Sequence, residues 1–109
     1  MKMPPALTFG DIQKALNVLP GWTGNENGIK KRFKFEDFRG AMQFMQACVS
    51  GIERLDHHPI WTNKFNMVDV HLDTFNIGHK VTRMDLDVAE HLEQVLHERG
   101  EEFGLLSDD

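Results

Sequence analysis

The sequence lacks most of the features that would tie it to a membrane, an oxidising compartment or a nucleotide. One cysteine, Cys48, occurs in 109 residues, so no disulfide can form within the chain. This favours a reducing compartment, and we expect a cytoplasmic protein. No apolar run reaches transmembrane length, and the N-terminal segment lacks the apolar stretch of a signal peptide. No glycine-rich loop leads from a strand into a helix, so the sequence has no phosphate-binding motif.

Positive charge is also in short supply. The net charge is −5, which argues against direct binding to nucleic acid. One predicted strand is an exception, because Lys30, Arg32 and Lys34 alternate along it and share a face. This basic row could attract an anionic partner or could be a solvated surface, and the sequence leaves both interpretations open.

Hydrophobic periodicity predicts an α+β domain of two layers, with helices packed on one face of an antiparallel four-stranded sheet. The predicted order is α-β-β-α-β-β-α. Thr8 and Asp11 mark the start of the first helix, and Pro20-Gly21 its end. The longest helix is predicted from about Asp37 to Arg54. The last helix is predicted from Thr82 to Gly100. Strands are predicted at about residues 21–24, 29–35, 61–65 and 68–72.

The middle helix carries an apolar stripe that predicts its buried face. The stripe consists of Phe38, Ala41, Met42, Met45, Cys48, Val49 and Ile52. Within it, Cys48 is expected to be a buried apolar side chain and not a nucleophile. We expect one domain over residues 1–109. Its last part, residues 101–109, is predicted to be a mobile acidic tail in which Phe103, Leu105 and Leu106 could dock.

Two adjacent histidines follow the predicted end of the middle helix, where Pro59 enforces a turn. Imidazole exchanges protons near neutral pH, so His57 and His58 could divide the acid and base roles of a dehydration between them. Glu53 lies one helical turn before His57 if the helix persists, and it could then orient that ring. Trp61 and Pro59 offer flat apolar surface to a bicyclic ring. A polar turn without function would show the same residues.

A longer pattern places these histidines in a known family. The sequence contains, in order, Glu53, His57-His58-Pro59, Phe65, a strand that ends in Thr74, and Asp85. This pattern resembles the signature of the pterin-4a-carbinolamine dehydratases, and the resemblance covers nearly the whole chain. It implies an α+β fold assembled as a homodimer or homotetramer, without a metal or organic cofactor. The implied activity is dehydration of a 4a-hydroxytetrahydropterin to the quinonoid dihydropterin, a step in tetrahydrobiopterin recycling.

The resemblance also implies roles for individual residues. It implies catalytic roles for His57, His58 and Glu53. The implied substrate-binding residues are Pro59, Trp61, Thr74, Phe75, Asn76 and Asp85. Of these, Asp85 also stands in the predicted first turn of the last helix, where it could act mainly as a cap.

One position departs from the family pattern. The signature has histidine, sometimes tryptophan, where this sequence has Phe75, and phenylalanine can stack on a ring but cannot exchange a proton. His71 lies on the same predicted strand face but roughly 13 Å away, whereas His79 in the following loop is nearer. Two alternatives follow: a dehydratase of reduced rate, or a pterin-binding or protein-interaction module with little or no catalysis.

Two further interpretations concern a protein partner and a metal site. Members of this family in animals also act as dimerisation cofactors of a homeodomain transcription factor, but no feature of this sequence points to such a partner. A metal site would need histidines to cluster, for example His57 and His58 with His71 and His79. Adjacent histidines rarely face one ion, and no HxH or HExxH pattern is present. We therefore expect no metal, no direct contact with nucleic acid and no membrane association.

Overall fold

The computed structural model describes residues 3–106 and confirms the predicted order of helices and strands. A short 3-10 helix, Phe75–Ile77, is added before the last helix. The elements are α1 (Phe9–Leu16), β1 (Thr23–Asn25), β2 (Gly28–Lys34), α2 (Phe38–Leu55), β3 (Ile60–Lys64), β4 (Met67–Leu72) and α3 (Arg83–Phe103).

The four strands form one antiparallel sheet in the order β1-β2-β4-β3. In the register of β3 and β4, Ile60 pairs with His71. Because the two strands run in opposite directions, the residues just before β3 and those just after β4 lie at the same end of the sheet. His58-Pro59 and Asp73-Thr74 are therefore neighbouring segments of the chain, which fixes the position of the candidate site.

The two faces of the sheet differ in burial. The core face holds side chains that are at most 2% exposed and pack against the helices: Ile29, Phe33, Val68, Val70 and Leu72. The opposite face carries Lys30, Arg32 and Lys34, which are all exposed as predicted. Arg32 there donates to the carboxylate of Asp69 on β4, with an Nε–Oδ1 distance of 2.7 Å. Part of the basic row is thus neutralised by its neighbouring strand.

The core face also contains a buried lysine, which the sequence analysis did not single out. Lys31 is 5% exposed, and its Nζ donates to the carbonyl oxygen of Pro20 at 2.7 Å and to Glu93 Oε2 at 2.8 Å. The same ammonium lies 4.8 Å from the centroid of the Phe33 ring. Trp22 Nε1 donates to the same oxygen of Glu93 at 2.8 Å. The buried ammonium is tolerated here because a carboxylate, a carbonyl oxygen and an aromatic ring all contact it.

The predicted buried stripe of α2 is partly wrong. Ala41, Cys48 and Ile52 are buried, but Phe38 is 50% exposed and Val49 is 40% exposed. The helix instead buries a face that also holds Gly40, Phe44 and Gly51. Glycines at such positions let α3 approach closely, and a pattern that counts large apolar side chains does not register them. Burial raises the pKa of the Cys48 thiol to about 12, in agreement with the prediction of an inert cysteine.

The last helix is longer than predicted, and it, not α2, is the longest. It has 21 residues against 18 in α2 and ends at Phe103, where Gly104 adopts a left-handed conformation with φ of 72°. The predicted end at Gly100 is wrong because that glycine lies inside the helix and accommodates Leu105 against it. Despite this length, none of the helices described is long and apolar enough to cross a membrane.

The predicted mobile tail is wrong for residues 101–106. Phe103 is 2% exposed and belongs to the core. Leu105 forms a bridge with Phe35, and the backbone N–H of Leu106 donates to the carbonyl oxygen of Lys34 at 2.9 Å. The apolar residues of this segment therefore dock as the sequence allowed, by pairing alongside the last residue of β2 and the residue after it. Residues 107–109 lie outside the described part of the chain.

Candidate active site

The end of α2 determines where the paired histidines lie. The helix stops at Leu55, and Asp56 caps it in a left-handed conformation with φ of 52°. Since the helix does not continue to His57, the predicted one-turn contact between Glu53 and His57 is wrong. Glu53 instead lies beside His58, with 3.3 Å between Oε2 and Nε2, and both side chains are more than half exposed.

His57 is held by Asp85. Its Nε2 lies 2.6 Å from Asp85 Oδ1, and the His57 side chain is 11% exposed while Asp85 is fully buried. The other carboxylate oxygen of Asp85 accepts from the Thr74 hydroxyl at 2.9 Å and from the Thr82 backbone N–H at 2.8 Å. The ionised form of a carboxylate can only accept, and with that form His57 Nε2 is the donor of this bond. Nδ1 is the ring nitrogen of His57 that lies outside this bond.

Two of the predicted substrate-binding residues support His57 from within the protein. Thr74 is 1% exposed and Asp85 is 0% exposed. Their polar atoms are used by each other, by His57 and by Thr82, whose hydroxyl lies 2.8 Å from that of Thr74. The structure therefore gives them a supporting position, not a surface open to a ligand. The predicted capping role of Asp85 is confirmed, because it completes a capping box with Thr82.

The remaining predicted residues lie at or near the surface. Phe75 is 72% exposed on the 3-10 helix, and Asn76 beside it is also exposed. Pro59 and Trp61 are half-buried. Trp61 packs partly against the core, on the opposite face of β3 from Ile60. Among these, Phe75 is the most exposed aromatic side chain, and it lies at the end of the sheet that also carries His57 and His58.

A second cluster of imidazole and carboxylate, which the sequence analysis missed, lies just after β4. Asp73 Oδ2 is 2.8 Å from His71 Nε2, and Asp73 Oδ1 is 3.1 Å from His79 Nδ1. Burial disfavours the charged form of Asp73, but hydrogen bonds from His71 and His79 outweigh it, and the pKa of this carboxyl lies below its usual range. The spacing of His71 and Asp73, two positions apart on one strand face, could have indicated their contact. The approach of His79 depends on the turn at Gly78, with φ of 81°, which no pattern predicts.

Two further observations concern a metal site and a cavity. Within residues 3–106 no group of three or more histidine, cysteine or acidic residues is arranged to hold a metal ion. A cavity of about 430 Å³ lies on the open face of the sheet and is lined by His71, Lys30 and Arg32 among others. It adjoins the Asp73 cluster through His71, but His57 and His58 are not among the residues that line it.

This fold and these imidazole–carboxylate pairs define an α+β domain with proton-exchanging groups at one end of its sheet. The profile of the pterin 4 alpha carbinolamine dehydratase family matches residues 5–95. The chain belongs to that family.

Individual relatives agree with this assignment. A protein of Opitutus terrae named "Putative pterin-4-alpha-carbinolamine dehydratase" is 40% identical over 93 residues, which cover 85% of this chain and 96% of that protein. A protein of Bordetella avium with the same name is 35% identical and covers 83% of this chain and 84% of its own length. A crystal structure from Brucella melitensis, described as a transcriptional coactivator/pterin dehydratase, superposes with a TM-score of 0.78. It is 36% identical and covers 84% of this chain and 98% of its own.

Proposed function

We propose that this protein dehydrates a 4a-hydroxytetrahydropterin to the quinonoid dihydropterin, as a hydro-lyase that uses histidine acid–base catalysis. Membership of the dehydratase family supports the reaction class. The observation that carries the proposal is the pair of adjacent imidazoles, each beside a different carboxylate: His57 at Asp85 and His58 at Glu53. The reaction recycles the oxidised pterin cofactor of aromatic hydroxylation.

The chemistry requires two proton movements. The C4a–O bond breaks, the hydroxyl leaves as water after gaining a proton, and N5 loses its proton as the C4a=N5 double bond forms. No electrons are gained or lost overall, and the proton taken from N5 balances the one given to the hydroxyl. A site with one proton donor and one acceptor is therefore sufficient, and each contributes typically about 10²–10⁴-fold to the rate.

The two histidines differ in what they offer to this reaction. His58 is 57% exposed on its side chain and is the more accessible proton donor for the leaving hydroxyl. His57 is fixed by Asp85, and its Nδ1 carries the lone pair. Glu53 supports the charge of protonated His58. The pterin ring is expected to lie against Pro59 and Phe75, with Asn76 and Trp61 at the edges of the site.

The test is a dehydration assay on freshly generated 4a-hydroxytetrahydropterin, with the spontaneous reaction subtracted. His58→Ala is expected to lower kcat by about 10²-fold, because the proton donor is lost. His57→Ala should lower it at least as much, since Asp85 then faces an empty position. His97→Ala is the matched control, because His97 is exposed on α3 about 18 Å along the helix from Asp85. A wild-type protein no faster than the spontaneous reaction would refute the proposed activity.

The alternative function is a module that binds pterin or a protein partner with little or no catalysis. The exposed Phe75 favours it, because the family signature has histidine, sometimes tryptophan, at this position, and phenylalanine cannot exchange a proton. In that case pterin still binds, which equilibrium fluorescence quenching measures, while none of the histidine variants changes the dehydration rate. A homodimer or homotetramer is proposed for either function, and sedimentation equilibrium tests it.

A further inference from the structure

A second carboxylate–imidazole pair stands beside the proposed site, and neither the sequence pattern nor the family comparison assigns it a role. The Asp73 carboxylate accepts the Nδ1–H of His79 at 3.1 Å. A carboxylate that holds one ring nitrogen protonated leaves a lone pair on the other nitrogen, which is then a proton acceptor. The His79 side chain is 58% exposed, and within residues 3–106 its Nε2 has no hydrogen-bond partner.

The sheet register brings Asp73 to the end of the sheet at which His57 and His58 lie. Ile60 pairs with His71, so the chain that enters β3 and the chain that leaves β4 are neighbours. Thr74, directly after Asp73, donates to the carboxylate that holds His57. Thr74 therefore links the two imidazole–carboxylate pairs, because its hydroxyl binds the carboxylate beside His57 and the residue before it along the chain is Asp73.

The loop that carries His79 is held in shape. Thr74 and Lys80 form a bridge that closes the loop, and the N–H of Val81 donates to the carbonyl oxygen of Glu26 at 2.9 Å. His79 has φ of 60°, a left-handed conformation that is uncommon outside glycine and is concentrated at functional sites. Its ring meets that of Phe75 edge-on, with 5.1 Å between centroids. The imidazole thus borders the exposed aromatic surface on which a flat ring can lie.

The partner of Asp73 on its other side strengthens this arrangement. His71 reaches Asp73 Oδ2 from β4, and its ring lies over Gly28, where any Cβ atom would collide with it. His71 therefore fixes the position of the Asp73 carboxylate, and the other carboxylate oxygen orients His79. His57 makes a similar bond to Asp85, but its side chain is only 11% exposed, whereas His79 is open to a ligand.

We propose that His79 is a third catalytic residue, which accepts the N5 proton of the pterin through Nε2, and that Asp73 is the positioning residue that holds it. This rests on the proposed dehydratase function and deepens it. His58 gives its proton to the leaving hydroxyl, which departs as water, and His57 orients that hydroxyl. The proton on His79 then returns to solvent, from which His58 is protonated again.

The test is a set of four proteins in the dehydration assay: wild type, His79→Ala, Phe75→His and the double variant. His79→Ala is expected to lower kcat by about 10²-fold. Phe75→His should restore most of the activity lost in His79→Ala, because it introduces a proton acceptor beside the position that His79 leaves. Circular dichroism and thermal unfolding check that all four are folded, which the exposure of both side chains favours.

Each outcome has one meaning. A His79→Ala protein as active as wild type overturns this inference and leaves the dehydratase function intact. If Phe75→His alone raises kcat while His79→Ala has no effect, the site is short of one histidine and His79 does not replace it. A wild type that does not exceed the spontaneous rate refutes the proposed function and this inference together.

The role of Asp73 has its own readout. Asp73→Asn is expected to lower kcat with little change in KM, and to have no further effect on kcat when His79 is already alanine. A residue with a purely structural role would lower activity equally in both backgrounds. An equal effect of Asp73→Asn in the two backgrounds therefore overturns the assignment of Asp73.

Discussion

Single carboxylates organise the histidines of this site, and each does so at a different depth. Asp85 is fully buried with three donors around it, Asp73 bridges two imidazoles, and Glu53 is exposed beside His58. The more buried the carboxylate, the more firmly it fixes its ring, because its bonds are not shared with water. His57 is thus the most rigid of the imidazoles and His58 the most adaptable.

Acid is expected to remove the stabilisation provided by Asp73. Because the pKa of Asp73 is lowered in the folded protein, its contribution is fully present above the pKa of an unfolded aspartate, about 3.9, and is lost as pH falls through the lower folded value. Asp73→Asn should cost about 1 kcal/mol of unfolding free energy near neutral pH. That difference should vanish in strong acid. Urea denaturation across the acid range measures it.

Asp69→Asn is the matched control for this experiment. The pKa of Asp69 is also lowered, chiefly by a hydrogen bond from Arg32, but that pair is exposed. Its acid-dependent contribution should be smaller, since solvent screens it. A difference between wild type and Asp73→Asn that is the same at every pH would contradict the bridging role assigned to this carboxylate.

The residues of the site were easier to find from the sequence than the contacts between them. His57, His58 and Asp85 were all singled out, but Glu53 was assigned to the wrong histidine. That error came from the left-handed Asp56, which ends the helix before His57. The pairing of His57 with Asp85 joins the end of α2 to the start of α3, and the pairing of Asp73 with His79 crosses a turn. Such contacts depend on packing that periodicity does not contain.

The helices were predicted well in order and less well in orientation. The capping residues Thr8 and Thr82 were correct because a cap is local chemistry. The buried face of α2 was misjudged because its contact with α3 is made through Gly40 and Gly51. At Gly40, a Cβ atom would collide with the carbonyl oxygen of Phe103. The absence of a side chain is what brings these helices together.

A methyl group at Gly40 should therefore separate the two helices. Gly40→Ala is expected to destabilise the protein by about 1–3 kcal/mol, since backbone cannot move aside as a side chain can. Gly10→Ala is the matched control, because that glycine is also in a first helical turn but has its nearest neighbouring atom at 3.9 Å. The control should be neutral or more stable by up to about 1 kcal/mol.

The urea unfolding midpoints, compared at constant m-value, give the change in unfolding free energy for both variants. Equal midpoints for Gly40→Ala and Gly10→Ala would mean that the close approach of α2 and α3 does not limit stability.

Across the whole molecule, one buried ion pair joins parts of the chain that are distant in sequence. Lys31 on β2 binds Glu93 on α3 and the carbonyl of Pro20 after α1, and Trp22 shares the same carboxylate. The sheet and two of the helical regions meet at this point. The sequence analysis did not single out Lys31, and its partner could not be read from the sequence because Glu93 is 62 positions away.

Removing either member of this pair should have unequal effects. Glu93→Ala removes the carboxylate that balances the charge of the buried Lys31 ammonium and accepts from Trp22, and is expected to cost about 3 kcal/mol of stability. Lys31→Met should cost less than Glu93→Ala, because methionine fills the space of the lysine stem and the carboxylate left behind is 25% exposed and can be hydrated.

Glu90→Ala is the control, since Glu90 is an exposed partner of Arg83, and it should cost less than about 1 kcal/mol. Thermal and urea unfolding measure all three. A Lys31→Met protein as unstable as Glu93→Ala would show that the ion pair itself, and not the burial of an uncompensated charge, stabilises the fold.

The pairing of Ile60 with His71 has a consequence for the far end of the same hairpin. The turn at Phe65 and Asn66, which closes β3 onto β4, sets how the two strands are aligned, and it lies about 17 Å along the strands from Ile60 and His71. Inserting or deleting one residue there would shift one strand against the other by a single position and reverse which side each residue faces. A change in a surface turn that touches no ligand would then abolish catalytic activity, because the segment before β3 and the segment after β4 would no longer be aligned.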